Sequence, residues 1–80
     1  MAADPLMWEA FFEWCERAIA ERQEQLAPLE SGEMRMGHRG PDTGGQWVDI
    51  TEAQAQSIRN EIASLRHTLE RSRKEHAQGS

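Results

Sequence analysis

A single cysteine, Cys15, stands in the eighty residues, so an internal disulfide is excluded and a reducing cytoplasm is the expected setting. Long apolar runs are missing too; none passes three residues, as in Leu6-Met7-Trp8. A membrane-crossing helix needs about 20 apolar residues in succession and a signal-peptide core about 7–15, so neither is expected. No glycine-rich phosphate loop or nucleophile elbow occurs, which removes the common nucleotide-binding and serine-hydrolase readings. Cations are outnumbered, 9 Lys and Arg against 14 Asp and Glu, for a net charge of −5. That balance argues against a general nucleic-acid binder. Apolar residues are scarce at 38%, and apart from Met1 only eighteen are large. Each contributes roughly 1.5–3 kcal/mol if fully buried, against a chain entropy of order 100 kcal/mol, so a lone chain is marginal and assembly is expected.

What is present reads as a single domain over residues 1–80, in three pieces. Asp4-Pro5 is a helix start, an N-cap aspartate followed by proline at the first helical position. Helical periodicity runs to about residue 31, and Gly32 is a plausible stop. Pro28 removes the hydrogen bond to the Glu24 carbonyl, which predicts a kink there or an earlier stop near Ala27. Residues 32–50 form a loop or short β-hairpin. Met34-Arg35-Met36 and Val48-Asp49-Ile50 alternate in the strand period around the turn-forming Arg39–Gly45 segment. Thr51 then opens a second helix, with Thr51 and Gln54 as a capping box, running over about residues 52–76 and fraying over 77–80.

Charge predicts how the helices meet. Residues 1–33 carry eight acids and two bases, a balance of −6; residues 51–80 carry four acids and five bases, a balance of +1. On a heptad, the second helix puts Ala55, Ile62 and Leu69 at a, Ile58 and Leu65 at d, and Arg59, Arg66 and Arg73 at e. The first puts Phe12, Ile19 and Leu26 at a, Trp8, Cys15, Arg22 and Leu29 at d, and Glu9, Glu16, Gln23 and Glu30 at e. An antiparallel hairpin with Glu9 opposite Arg73, Glu16 opposite Arg66 and Gln23 opposite Arg59 stacks Trp8 on Leu69, Phe12 on Leu65, Cys15 on Ile62 and Ile19 on Ile58. Arg22 then faces the small Ala55, which leaves room for its stem.

The first helix has more apolar surface than this seam uses. Met7, Phe11, Trp14 and Ala18 make a second stripe, and Trp8 adjoins it. Trp14 lies roughly 20 Å of helix from the hairpin, beyond cover by so short a ribbon. These five residues are therefore the expected interface. A second copy completing a four-helix bundle is the expected occupant, and a different protein anchored on the Trp/Phe cluster is the alternative.

Signals for chemistry are sparse. Met34, Met36 and His38 alternate on one strand face, where two thioethers and an imidazole suit Cu(I); core packing of the methionines with a solvated His38 is the plainer reading. Cys15 lies in an apolar layer without a neighbouring histidine and reads as a packing residue. His38, His67 and His76 lack the i, i+4 spacing of a helical metal pair. Arg71-Ser72-Arg73-Lys74 could touch phosphate, but Glu70 and Glu75 flank it as on an ordinary solvated helix end. No carboxylate pair is fixed at a catalytic distance. No catalytic residue, metal or cofactor is expected, and an enzyme is not.

One resemblance goes further. Leu26-x-x-Leu29-x-x-Gly32, then Val48-Asp49-Ile50-Thr51, then Ile58-x-x-Glu61-Ile62-x-x-Leu65 is similar to the small phage head-completion proteins of the lambda W type, over roughly residues 15–70. The resemblance implies two antiparallel helices with a β-hairpin, a role joining capsid portal to tail, and a place in the virion. This sequence departs from the pattern in its longer, aromatic-rich first helix and polar C-terminus. The expectation is thus a mainly α helix–hairpin–helix protein of structural or connector type. The alternatives are a small acidic inhibitor or regulator docking on a host protein through its −5 charge, and a metal-binding accessory using Met34, Met36 and His38.

Overall fold

Two long stretches with apolar residues every three or four positions can hide those residues only against each other, and the chain folds accordingly. The computed structural model describes residues 5–78. Helix α1 spans Pro5–Ser31, strand β1 Gly37–His38, a 3-10 turn Pro41–Thr43, strand β2 Val48–Asp49, and helix α2 Thr51–Gln78. The helices pack against each other as an antiparallel hairpin, and β1 pairs antiparallel with β2, Gly37 opposite Asp49 and His38 opposite Val48. The result is a rod 57 × 26 × 16 Å. Its core is Leu26, Leu29, Ala55, Ile58 and Ile62, with Ile19 and Met36 packed on the side.

Helix α1 does not stop at Ala27. It continues through Pro28 to Ser31, because Leu26 and Leu29, on either side of the proline, are both held in the core. Proline's fixed φ suits a helix, so the cost is the missing hydrogen bond and the crowding of its ring against the preceding turn. Gly32, at φ +84, ends α1 in the left-handed region that a side chain disfavours. The Met34 amide then donates back to the Pro28 carbonyl at 3.0 Å. The proposed Asp4 cap lies outside the described residues, as do Gly79 and Ser80. Ala77 and Gln78 are helical rather than frayed.

The first strand lies later than the alternation predicts. Met34 is engaged with the end of α1, and the Met36 backbone is taken by the start of α2, so pairing begins only at Gly37. A side chain at Gly37 would displace the exposed Trp47 ring. A Cβ on Gly37 would come 1.9 Å from Cε2 of Trp47, whose ring lies over that backbone.

The expected Thr51–Gln54 capping box does not form. The Gln54 amide donates to the Ile50 carbonyl at 2.9 Å, so Ile50 is the cap residue and Thr51 the first helical one. The Thr51 hydroxyl instead accepts from the Met36 amide at 2.9 Å and donates to the Met36 carbonyl at 3.2 Å. Asp49 takes over the capping. Its Oδ1 accepts the Thr51 amide at 2.9 Å, and its Oδ2 accepts Arg35 Nε at 3.1 Å.

The helix register differs from the expected one by a full heptad. Arg73 pairs with Glu16 and Arg59 with Glu30, where the sequence suggested Glu9 and Gln23. The Trp8 ring lies 5.2 Å from His76, not over Leu69, and Arg73 sits 5.7 Å above the Phe12 ring. Charge could not separate the two alternatives, since both set two glutamates and one glutamine of α1 against Arg59, Arg66 and Arg73. Burial separates them. The observed register places Leu26 and Leu29 alongside Ala55 and Ile58, whereas the other leaves Leu29 beyond the first residue of α2. Each leucine contributes roughly 1.5–3 kcal/mol on burial, more than an exposed ion pair at about 0–1. Arg22 does not face Ala55; its Nε reaches Glu61 at 2.7 Å.

Candidate interaction surface

The seven residues expected in the seam lie between the helices to different depths. Cys15, Ile58, Ile62 and Leu69 are buried, while Phe12, Ile19 and Leu65 are half-buried. Cys15 is fully covered, and that burial pushes its thiol pKa up, as suits a packing residue rather than a nucleophile.

The five expected interface residues divide. Trp8 is half-covered by its own chain, its ring 5.7 Å from Phe12 and 5.2 Å from His76. Phe11 and Ala18 are half-buried, and Met7 and Trp14 are open. Phe11 and Trp14 stack with centroids 6.4 Å apart and planes 18° apart. Each is one helical turn from the other, so the stack follows from i, i+3 spacing. Leu6, Met7 and Trp14 are 70%, 67% and 58% exposed. No described residue from the hairpin end comes over them.

Sequence reasoning missed the continuation of this stripe. Beyond Ala18 the same helix row carries Glu21 and Gln25, at spacings of three and four. Their polarity ends an apolar count, yet they line an open groove of about 500 Å³ together with Leu29, Met34, Met36 and Ile58. The stripe and the groove therefore share one edge of the helix pair. Over the row from Met7 to Leu29 this edge measures roughly 33 Å at 1.5 Å per residue.

The rim of that edge is acidic for a specific reason. From Asp42 onward every described carboxylate has a basic side chain against it: Asp42 has the His38 ring, and Asp49 is engaged by Arg35, Glu52 by Arg59, Glu61 by Arg22, Glu70 by Lys74 and Glu75 by Arg71. On α1, Glu16 and Glu30 are paired across the seam. Glu9, Glu13, Glu21, Glu24 and Glu33 have no ion pair among the described residues. The uncompensated negative charge is thus concentrated along α1.

The other candidate centres are put to different uses. Met36 packs on the core, Met34 is half-exposed in the groove, and His38 Nε2 lies 3.0 Å from both Asp42 carboxylate oxygens. Among the described residues, no group of three His, Cys, Asp or Glu side chains could hold a metal ion. In the basic run, Arg71, Arg73 and Lys74 each have a glutamate partner. No described helix is long and apolar enough to cross a membrane.

Asp49 is the most perturbed acid. Hydrogen bonds from Thr51, and then from Arg35, hold its carboxyl well below the usual carboxylate range. A lowered pKa adds stability above the unfolded value of about 4, and that stability is lost as pH falls toward the lowered folded value. The junction of β2 and α2 is therefore expected to loosen as pH falls below about 4, read as loss of amide protection at Thr51. Asp49→Asn should remove that acid dependence, and an unchanged pH profile in this variant would refute the assignment.

No family model, curated protein or solved structure matches this chain.

Proposed function

We propose that the protein is a non-catalytic interaction protein of connector or adaptor type, working through the apolar edge of α1. The observation that carries this reading is the exposure of Leu6, Met7 and Trp14 beside the Phe11–Trp14 stack. An apolar patch of this kind, with one tryptophan open to water, is unfavourable unless another polypeptide covers it, and tryptophan is enriched among binding hot spots. The helix–hairpin–helix order adds support, because it is the arrangement of the phage head-completion proteins that the sequence resembles. Two occupants satisfy the reading: a second copy, giving the four-helix bundle of a homodimer, and a different protein. The unpaired glutamates of α1 favour the second and give weight to an acidic regulator docking on a basic host surface.

A photo-crosslinking amino acid at position 14, introduced in the cells that make the protein, tests the proposal. An adduct to one discrete polypeptide is expected, while the same group at the solvent-facing Asn60 gives none. Equal, diffuse labelling from both positions would overturn it.

A further inference from the structure

We propose that the groove along α1 is built to seat a basic amphipathic helix from another protein, which would lie beside α1 and α2 as the third member of a three-helix bundle. This inference rests on the interaction reading above and names the partner of that surface.

The shape argues for a helix. The edge follows one row of α1: Met7, Phe11, Trp14 and Ala18, then Glu21 and Gln25, then Leu29. Its lower half is already concave where Leu29, Met34 and Ile58 line the groove. A helix presenting apolar residues at i, i+3, i+4 and i+7 matches a row with that repeat, and helices pack at 8–10 Å across such a groove. The hairpin strands are two residues each, too short to template a further strand of useful length.

The charge argues for a basic helix. Glu13 and Glu24 occupy the row beside the stripe, with Arg17 between them, and Glu21 lies on the stripe itself, so three carboxylates stand against one guanidinium there. All three are exposed and none has an ion pair among the described residues. An occupant carrying lysine or arginine beside its apolar face would meet them. A second copy fits less well. The chain's cations without an ion pair among the described residues are Arg17, Arg39 and Arg66, one on α1, one in the loop between the strands and one on α2. They form no row, and α1 against α1 would set three carboxylates and one guanidinium of each copy against the same set.

The test uses the full chain and two labelled synthetic helical peptides of roughly three heptads, with leucine at a and d and either lysine or glutamate elsewhere. Fluorescence anisotropy and sedimentation velocity are the readouts, with circular dichroism confirming that each variant keeps its helices. The lysine peptide should bind one to one, more weakly as salt rises, and the glutamate peptide should not bind. Glu13→Gln, Glu21→Gln and Glu24→Gln together should weaken binding about tenfold at low salt, as three exposed charge pairs would. Phe11→Ser with Trp14→Ser should abolish it. Equal binding by the triple variant would overturn the inference. So would a dimer of the protein alone that excludes the peptide and dissociates in the Phe11/Trp14 variant; the interaction surface would then stand, with a second copy as its occupant. No peptide binding, together with no discrete crosslink at position 14, would remove both.

Discussion

Leu29→Ala should lower stability by about 2–5 kcal/mol, the usual cost of emptying a leucine site in a core. Leu29 is 7% exposed and belongs to the central cluster. A folded chain of this size is stable by only about 5–15 kcal/mol, so the loss is a large fraction of the total. Urea denaturation followed at the helical dichroism band would show the midpoint moving down. The substitution also discriminates between registers. In the arrangement one heptad away, Leu29 has no α2 residue opposite it, and its truncation would cost less than about 0.5 kcal/mol, as at an ordinary surface site. A near-neutral result would therefore refute the observed helix pairing, independently of any ion pair.

Thr51→Val is the second substitution with a large expected effect. Valine keeps the shape and removes the hydroxyl that holds both the amide and the carbonyl of Met36. The carbonyl retains the Ile50 amide at 2.9 Å, but the Met36 amide loses its partner. Thr51 is buried, so the stranded donor should cost about 1–3 kcal/mol. Hydrogen exchange should show Met36 losing protection before the core of α2 does, because this contact ties the hairpin to the helix pair. Thr51→Ser keeps the hydroxyl and should stay near wild type. If valine were tolerated without loss at Met36, the hairpin would be held by the packing of Met36 on the core alone.

Much of the architecture was legible in the order of residues. Trp8, Phe12, Cys15 and Ile19 on α1, and Ile58, Ile62, Leu65 and Leu69 on α2, repeat at helical spacing, and nothing else in the chain could cover them. Gly32 marks the end of α1 because few other residues accept its backbone angle. The turn-forming residues between Met36 and Val48 require the chain to reverse. The aromatic stripe was legible too, since its surplus over the seam is a matter of counting apolar positions. What stayed hidden has a common cause. The clamp of Thr51 on Met36 and the hold of Arg35 on Asp49 depend on groups fifteen and fourteen residues apart meeting in space, and local motif rules assigned the Thr51 hydroxyl to Gln54 instead. The groove beyond Ala18 was hidden because Glu21 and Gln25 are polar and line it with residues from two other segments.

The sequence by itself determined two amphipathic helices, their antiparallel pairing and an excess of apolar surface near the start of α1, because periodicity and burial are local properties repeated many times. Only the tertiary structure decided the register, since a heptad pattern is unchanged by a shift of seven residues. Burial of Leu26 and Leu29 breaks that degeneracy. The same choice of register decided that Glu30 rather than Glu9 is neutralised across the seam, while Glu13, Glu21 and Glu24 lie off the seam.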